Sequence, residues 1–99
     1  MAPRKIIWSH RAKIKLYSIL EFYAGRNKSK LYSAKLYAKF NQEIKLLAKH
    51  PNLGIKTEIE SVRGLILDEY IVYYEHYEDS IIIHTIWDSR QNPDTLTVK

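Results

Sequence analysis

The sequence predicts an α+β fold in which an antiparallel two-helix hairpin covers one face of a four-stranded, mostly antiparallel sheet. Three observations carry that reading. Residues 9–50 repeat apolar side chains at three- and four-residue intervals, the period of an amphipathic helix. From residue 57 the repeat shortens to two and the composition turns β-branched and aromatic, as in half-buried strands. Ahead of both lies one short β-type run, KIIWS, at residues 5–9.

That run is the first strand, and Ser9 at its end is a suitable N-cap for the helix that follows. In HRAKIKLYSILEFYA the residues Ala12, Leu16, Ile19, Leu20 and Tyr23 fall on one stripe, with Lys13, Lys15 and Glu21 off it. Gly25 suits the C′ position. The polar turn GRNKS ends on Ser29, a second N-cap candidate. The next helix, KLYSAKLYAKFNQEIKLLAKH, places Ser33, Tyr37, Phe40, Ile44, Leu47 and Ala48 on its stripe, and Pro51 and Gly54 stop it. A short turn between two amphipathic helices makes them an antiparallel hairpin.

A three-stranded meander follows: TEIESV at residues 57–62, LILDEYIVYYEHY ending at Tyr77, and IIIHTIW at residues 81–87. With a turn at Glu78 and Asp79, Tyr77 faces Ser80, Glu75 faces Ile82, Tyr73 faces His84 and Ile71 faces Ile86. Tyr70, Val72, Tyr74 and His76 then share the other face with Ile81, Ile83, Thr85 and Trp87. Neither face is cleanly polar. The helices therefore cover one, and the other is open to a second use.

Length and composition narrow the class. Ninety-nine residues make one domain, since halves would lack a sufficient core. With 45% hydrophobic and 27% charged residues the chain reads as a soluble globular protein. It has no cysteine, no signal-peptide core and no membrane-spanning run, which fits the cytoplasm. The four histidines (10, 50, 76 and 84) show no metal-ligand spacing, and no glycine-rich phosphate loop or nucleophile motif is present. No metal or cofactor is expected. The charge is strongly asymmetric. Residues 1–56 hold 13 Lys/Arg against two Glu, a balance of +11, whereas residues 57–99 hold three against nine acids, a balance of −6. The basic half is a footprint for phosphates or an acidic partner, or else a solvated helical surface.

The closing stretch IIIHTIWDSRQNPDTL turns from an apolar strand to a polar end around Arg90 and Pro93. The β-α-α-β-β-β order, LAKHPNLG at the end of the second helix, YIVYY in the long strand and this closing IWDSRQNP together resemble the RelE/ParE toxins of bacterial type II toxin–antitoxin pairs. The resemblance spans nearly the whole chain. It implies one of two mechanisms. RelE-type members cut ribosome-bound mRNA, whereas ParE-type members block DNA gyrase without an established active site. Either would be held by a cognate antitoxin, through which oligomers form, and neither needs a membrane.

RelE-like cleavage requires a base for the 2′-hydroxyl, an acid for the leaving oxygen and cations for the phosphorane. Arg90 matches the family's arginine near the end of the last strand, and Arg63 matches a basic residue before the long strand. The arginine of the central strand has no counterpart, because Tyr70 and Ile71 stand there, and the C-terminal aromatic or histidine is absent. A cleavage site would have to be improvised from Arg63, Tyr70, Tyr73, His84 and Arg90. The ending is closer to the ILHxRMDP pattern of ParE-like chains, so the resemblance favours a ParE-like inhibitor, with the mRNA endoribonuclease as the alternative. On that reading Arg90 and Arg63 bind the target, and Tyr73, Tyr77, His84 and Trp87 bind the antitoxin. Plainer roles stand beside these. Arg90 has Asp88, Asp94 or a carboxylate of the neighbouring strand to pair with, Arg63 suits a solvated turn, and His84 suits a satisfied sheet position.

Overall fold

The structure, a computed structural model, describes residues 4–26 and 30–90. In chain order it contains β1 (Lys5–Trp8), α1 (His10–Arg26), α2 (Lys30–Leu47), β2 (Ile55–Lys56), β3 (Arg63–Leu67), β4 (Tyr70–His76) and β5 (Ser80–Asp88). The sheet order is β1-β5-β4-β3-β2; β1 runs parallel to β5 and every other neighbour is antiparallel. The sheet thus has five strands, where the sequence pattern gave four.

Ser9 caps α1 as its chemistry requires. Its Oγ accepts the Ala12 amide at 3.0 Å and donates to the His84 carbonyl at 2.8 Å. One hydroxyl therefore starts the helix and fastens it to β5. The α1 stripe lies against the core as expected: Ala12 and Leu16 are buried, and Ile19, Leu20 and Tyr23 pack on them. The helix runs through Gly25 to Arg26, so Gly25 does not terminate it. Ser29 lies outside the described residues. On α2 the buried set is Leu36, Phe40, Ile44 and Leu47, with Ala48 just beyond. Leu36, not Tyr37, occupies the core place of that turn, and Tyr37 faces outward. These helices bury Leu65, Leu67, Tyr70, Val72, Tyr74, Ile81, Ile83 and Ile86 of the sheet.

Residues 57–62 are not a strand. The Thr57 hydroxyl accepts the Ile59 amide (3.2 Å) and donates to the Val62 carbonyl (2.8 Å), holding the segment as a turn. The additional strand is instead Ile55–Lys56, which pairs with Arg63 and Gly64. The long apolar run also divides. Asp68 adopts φ 56°, a left-handed conformation that Asp tolerates, so β3 and β4 form a tight hairpin. Lys39 of α2 secures that turn through its Nζ, 2.6 Å from Asp68 Oδ1.

Two close approaches fix the loop before β2. Tyr74 Oη accepts the Gly54 amide at 2.9 Å and donates to the Pro51 carbonyl at 2.6 Å. A Cβ on Gly54 would stand 2.7 Å from the Tyr74 ring and 2.9 Å from the Gly64 carbonyl, so no side chain fits there.

The β4–β5 hairpin begins in the expected register. Tyr77 donates its amide to Ser80, and Glu75 pairs with Ile82. Between Tyr73 and Tyr74 a β-bulge then shifts the pairing by one, with His84 as the extra residue. Tyr73 consequently pairs with Thr85 rather than His84, and Ile71 with Trp87 rather than Ile86. The slip sends Ile86 into the core opposite Val72 and moves Thr85 and Trp87 off the face that the plain alternation assigned them.

Candidate functional site

Arg90 follows β5 by two residues, past the sheet end where Asp88 pairs with Tyr70. Its guanidinium forks onto Asp88: Nε lies 2.9 Å from Oδ1 and Nη2 2.7 Å from Oδ2, while the Arg90 amide also donates to Oδ1 at 2.9 Å. Nη1 reaches Glu69 Oε2 at 3.2 Å across the β3–β4 turn. The fork holds the Asp88 carboxyl below its usual range, and Asp88, followed by Tyr23, raises the arginine. More than half of the arginine side chain remains exposed. Beside it lies a cleft of about 240 Å³ bounded by Lys15, Phe22, Tyr70 and Asp88. At its base the Tyr70 hydroxyl donates to Tyr23 Oη (3.1 Å), and burial pushes the Tyr70 phenol well above its usual range.

The sheet face away from the helices has a different character. Strand alternation places Ile7, Ile55, Ile66, Ile71, Tyr73 and Ile82 there, and Ile7, Ile55 and Ile66 are 46%, 58% and 62% exposed. In this apolar field sits Glu75, only 6% exposed. Its Oε1 lies 2.7 Å from His84 Nε2, and its Oε2 accepts the Tyr77 hydroxyl at 3.0 Å. Burial raises the Tyr73 phenol above its usual range. A buried carboxylate thus orients one imidazole and one phenol on an otherwise greasy surface.

The model of the family described as "ParE toxin of type II toxin-antitoxin system, parDE" matches residues 6–93. The chain belongs to this family. A search of curated proteins gives no match. Among solved structures, a chain of the "Chromosomal ParDE TA system from P. aeruginosa" is similar, with a TM-score of 0.72, 21% identity, 84% of this chain covered and 92% of that one. At that identity the likeness speaks for the fold. The family match agrees with the ParE side of the resemblance that the closing IWDSRQNP carries.

Within this ParE toxin the five residues considered for cleavage do not converge. Tyr70 lies on the helix-covered face against Phe40, whereas Tyr73 and His84 are on the open one. Arg63 donates to the Gly54 carbonyl at 2.8 Å and so holds the loop before β2. It pairs with Tyr74, four residues along β4 from the Tyr70 that pairs with Asp88, which puts about 13 Å of strand between the two arginines' ends. Arg90 has the carboxylate partners of its plain reading, Asp88 and, from the turn, Glu69. Asp94 and Pro93 lie outside the described residues. Of the residues considered for antitoxin contact, Tyr73, Tyr77 and His84 are together on the open face. Trp87 is 9% exposed with Lys15 Nζ 5.9 Å from its ring, and offers little surface.

Glu75 was not singled out by sequence reasoning, although a lone acid amid YIVYYEHY is the signal that marks it. In the sequence Tyr23 reads only as part of the core stripe, and nothing local links it to Arg90. Among the described residues no group of three or more His, Asp or Glu side chains is placed to hold a metal ion, and no helix is long and apolar enough to cross a membrane.

Proposed function

We propose that this ParE toxin arrests growth in the cytoplasm by binding a target through Arg90, with DNA gyrase as the target, and that a cognate antitoxin neutralises it by covering the open sheet face. The observation that carries the reading is the separation of the candidate acid–base groups. Tyr70, Tyr73, His84, Arg63 and Arg90 are divided between two faces and two ends of the sheet, an arrangement that favours binding over in-line phosphodiester cleavage. Arg90, by contrast, is more than half exposed, and its planar fork, which holds Asp88 and Glu69 in the free chain, would exchange those carboxylates for one on the target. Arg63 is engaged with Gly54, so its part in target binding is to hold the loop rather than to reach out.

For the antitoxin the support is the row of exposed isoleucines beside Tyr73, Tyr77 and His84. Such a surface suits an apolar segment that buries its own side chains there and offers a hydroxyl or amide to the polar trio. The test pairs two assays on the purified chain. Gyrase supercoiling should fall as toxin is added, while a translation extract shows no cuts at defined codon positions. Codon-specific cleavage that Arg90→Ala abolishes would instead make the protein a ribosome-dependent endoribonuclease.

A further inference from the structure

The helical layer carries a feature that neither Arg90 nor the open sheet face uses. Between α1, α2 and the end of β1 lies a groove of about 140 Å³ lined by Trp8, Lys13, Leu16, Tyr17, Tyr37 and Asn41. We propose that this groove seats an unpaired base of a single-stranded nucleic acid, with the lysines along the hairpin holding the backbone on either side.

Three things on this surface point that way. Its walls are aromatic: Tyr17 is 61% exposed, Tyr37 is 45% exposed and Trp8 is half-buried. Two large phenol rings left in water on adjacent helices lie ready for stacking, which is tolerant of base identity. Second, the rim is chemically matched to a base and its phosphate. Asn41 brings an amide that both donates and accepts, and Lys13 brings a cation. Third, the field is positive along the same rows. Lys13 lies one turn before Tyr17, and Lys45 lies one turn after Asn41; Glu21, one turn beyond Tyr17, is the single acid of α1. This surface belongs to the half of the chain that balances to +11.

An acidic amphipathic helix is the competing occupant, and the groove suits it less well. Such a helix is read through aliphatic anchors at successive turns. Here the one aliphatic lining residue is Leu16, already buried in the core, and the remaining walls are rings and polar ends.

The experiment uses the full chain and an end-labelled oligo-dT of about 12 nucleotides, with a blunt duplex of equal length as the comparison, in fluorescence anisotropy. The single strand should bind more tightly than the duplex, and its affinity should fall as salt rises from about 50 to 200 mM. Tyr17→Ala or Tyr37→Ala should weaken it about tenfold, while Tyr17→Phe and Tyr37→Phe, which keep the ring, hold it within about twofold. Lys13→Gln should reduce the slope of log affinity against log salt by about 0.7. Equal affinity for strand and duplex, indifferent to Tyr→Ala, would overturn the stacking seat and leave only a charged surface. Absence of oligonucleotide binding, or preferential capture of a glutamate-rich amphipathic peptide lost on Tyr→Ala, would overturn it outright. The comparison of single strand with duplex on the unaltered chain keeps the test decisive should an alanine variant fold poorly, and unchanged melting temperatures establish that binding alone was altered.

Discussion

Arg90 and Asp88 sit two residues apart and share a bidentate fork, so each sets the other's ionisation. Asp88 has a folded-state value below its unfolded one. Its contribution to stability is therefore complete above the unfolded carboxylate range, near pH 3.9, and is lost as pH falls through the lower, folded value. Following the Asp88 carboxyl by NMR should show titration below the usual range, moving back up in Arg90→Ala. An Asp88 midpoint that ignored the substitution would dissolve the pairing. Tyr74 makes a second residue-scale prediction. Its buried hydroxyl accepts from Gly54 and donates to Pro51, and burial raises the phenol against the lowering effect of the Gly54 amide. Tyr74→Phe leaves a buried amide without its acceptor and should cost about 1–3 kcal/mol in denaturant unfolding. The fork on Asp88 was within reach of sequence reasoning, because both residues are local. The Tyr74 bonds were not, because they join positions 20 and more residues apart.

At the scale of elements, one hydroxyl couples the start of α1 to the β5 bulge. Ser9→Ala removes both the cap and the bond to His84, and should lower stability by about 0.5–2 kcal/mol with loss of helical signal at the N-terminal turn. An unchanged unfolding midpoint would show that the cap carries nothing. Ser9 also illustrates what the chain order makes plain and what it hides. Both helices, the α1 stripe and the turn at Glu78 and Asp79 follow from periodicity and capping chemistry, and all are found. Residues 57–62 alternate like a strand, but the Thr57 side chain competes for the backbone and wins. The bulge at His84 is invisible to a strict period of two, and one inserted residue is enough to exchange Ile86 with Thr85 and Trp87. Tyr37 and Leu36 differ by a single 100° step around α2, so either could take the core place until the packing against Phe40 and Ile44 decides. On the candidate site, the position of Arg90 was legible from the end of the last strand. Its partner Glu69, from the β3–β4 turn, and its neighbour Tyr23, from α1, are distant in sequence and were not.

The whole molecule is electrically divided, with a basic helical layer and an acidic strand-rich half. An antitoxin that lays an apolar segment on the open face and carboxylates near the basic layer should associate faster at low salt. Its dissociation should respond mainly to changes such as Ile66→Ser on the face itself. Stopped-flow rates without salt dependence would remove the electrostatic part of that picture. On the proposed function this toxin binds its target through Arg90 and is held together by other contacts. The most direct measurement is growth arrest on induction, taken with melting temperature and antitoxin affinity, for wild type, Arg90→Ala and Arg90→Lys. Because the arginine is exposed and its ion pairs face solvent, the alanine variant should melt close to wild type and keep antitoxin affinity. It should lose growth arrest, and lysine should restore it only in part, since an ammonium keeps the charge but not the planar two-donor geometry. A well-folded Arg90→Ala that still halts growth as wild type does would remove Arg90 from the target-binding site.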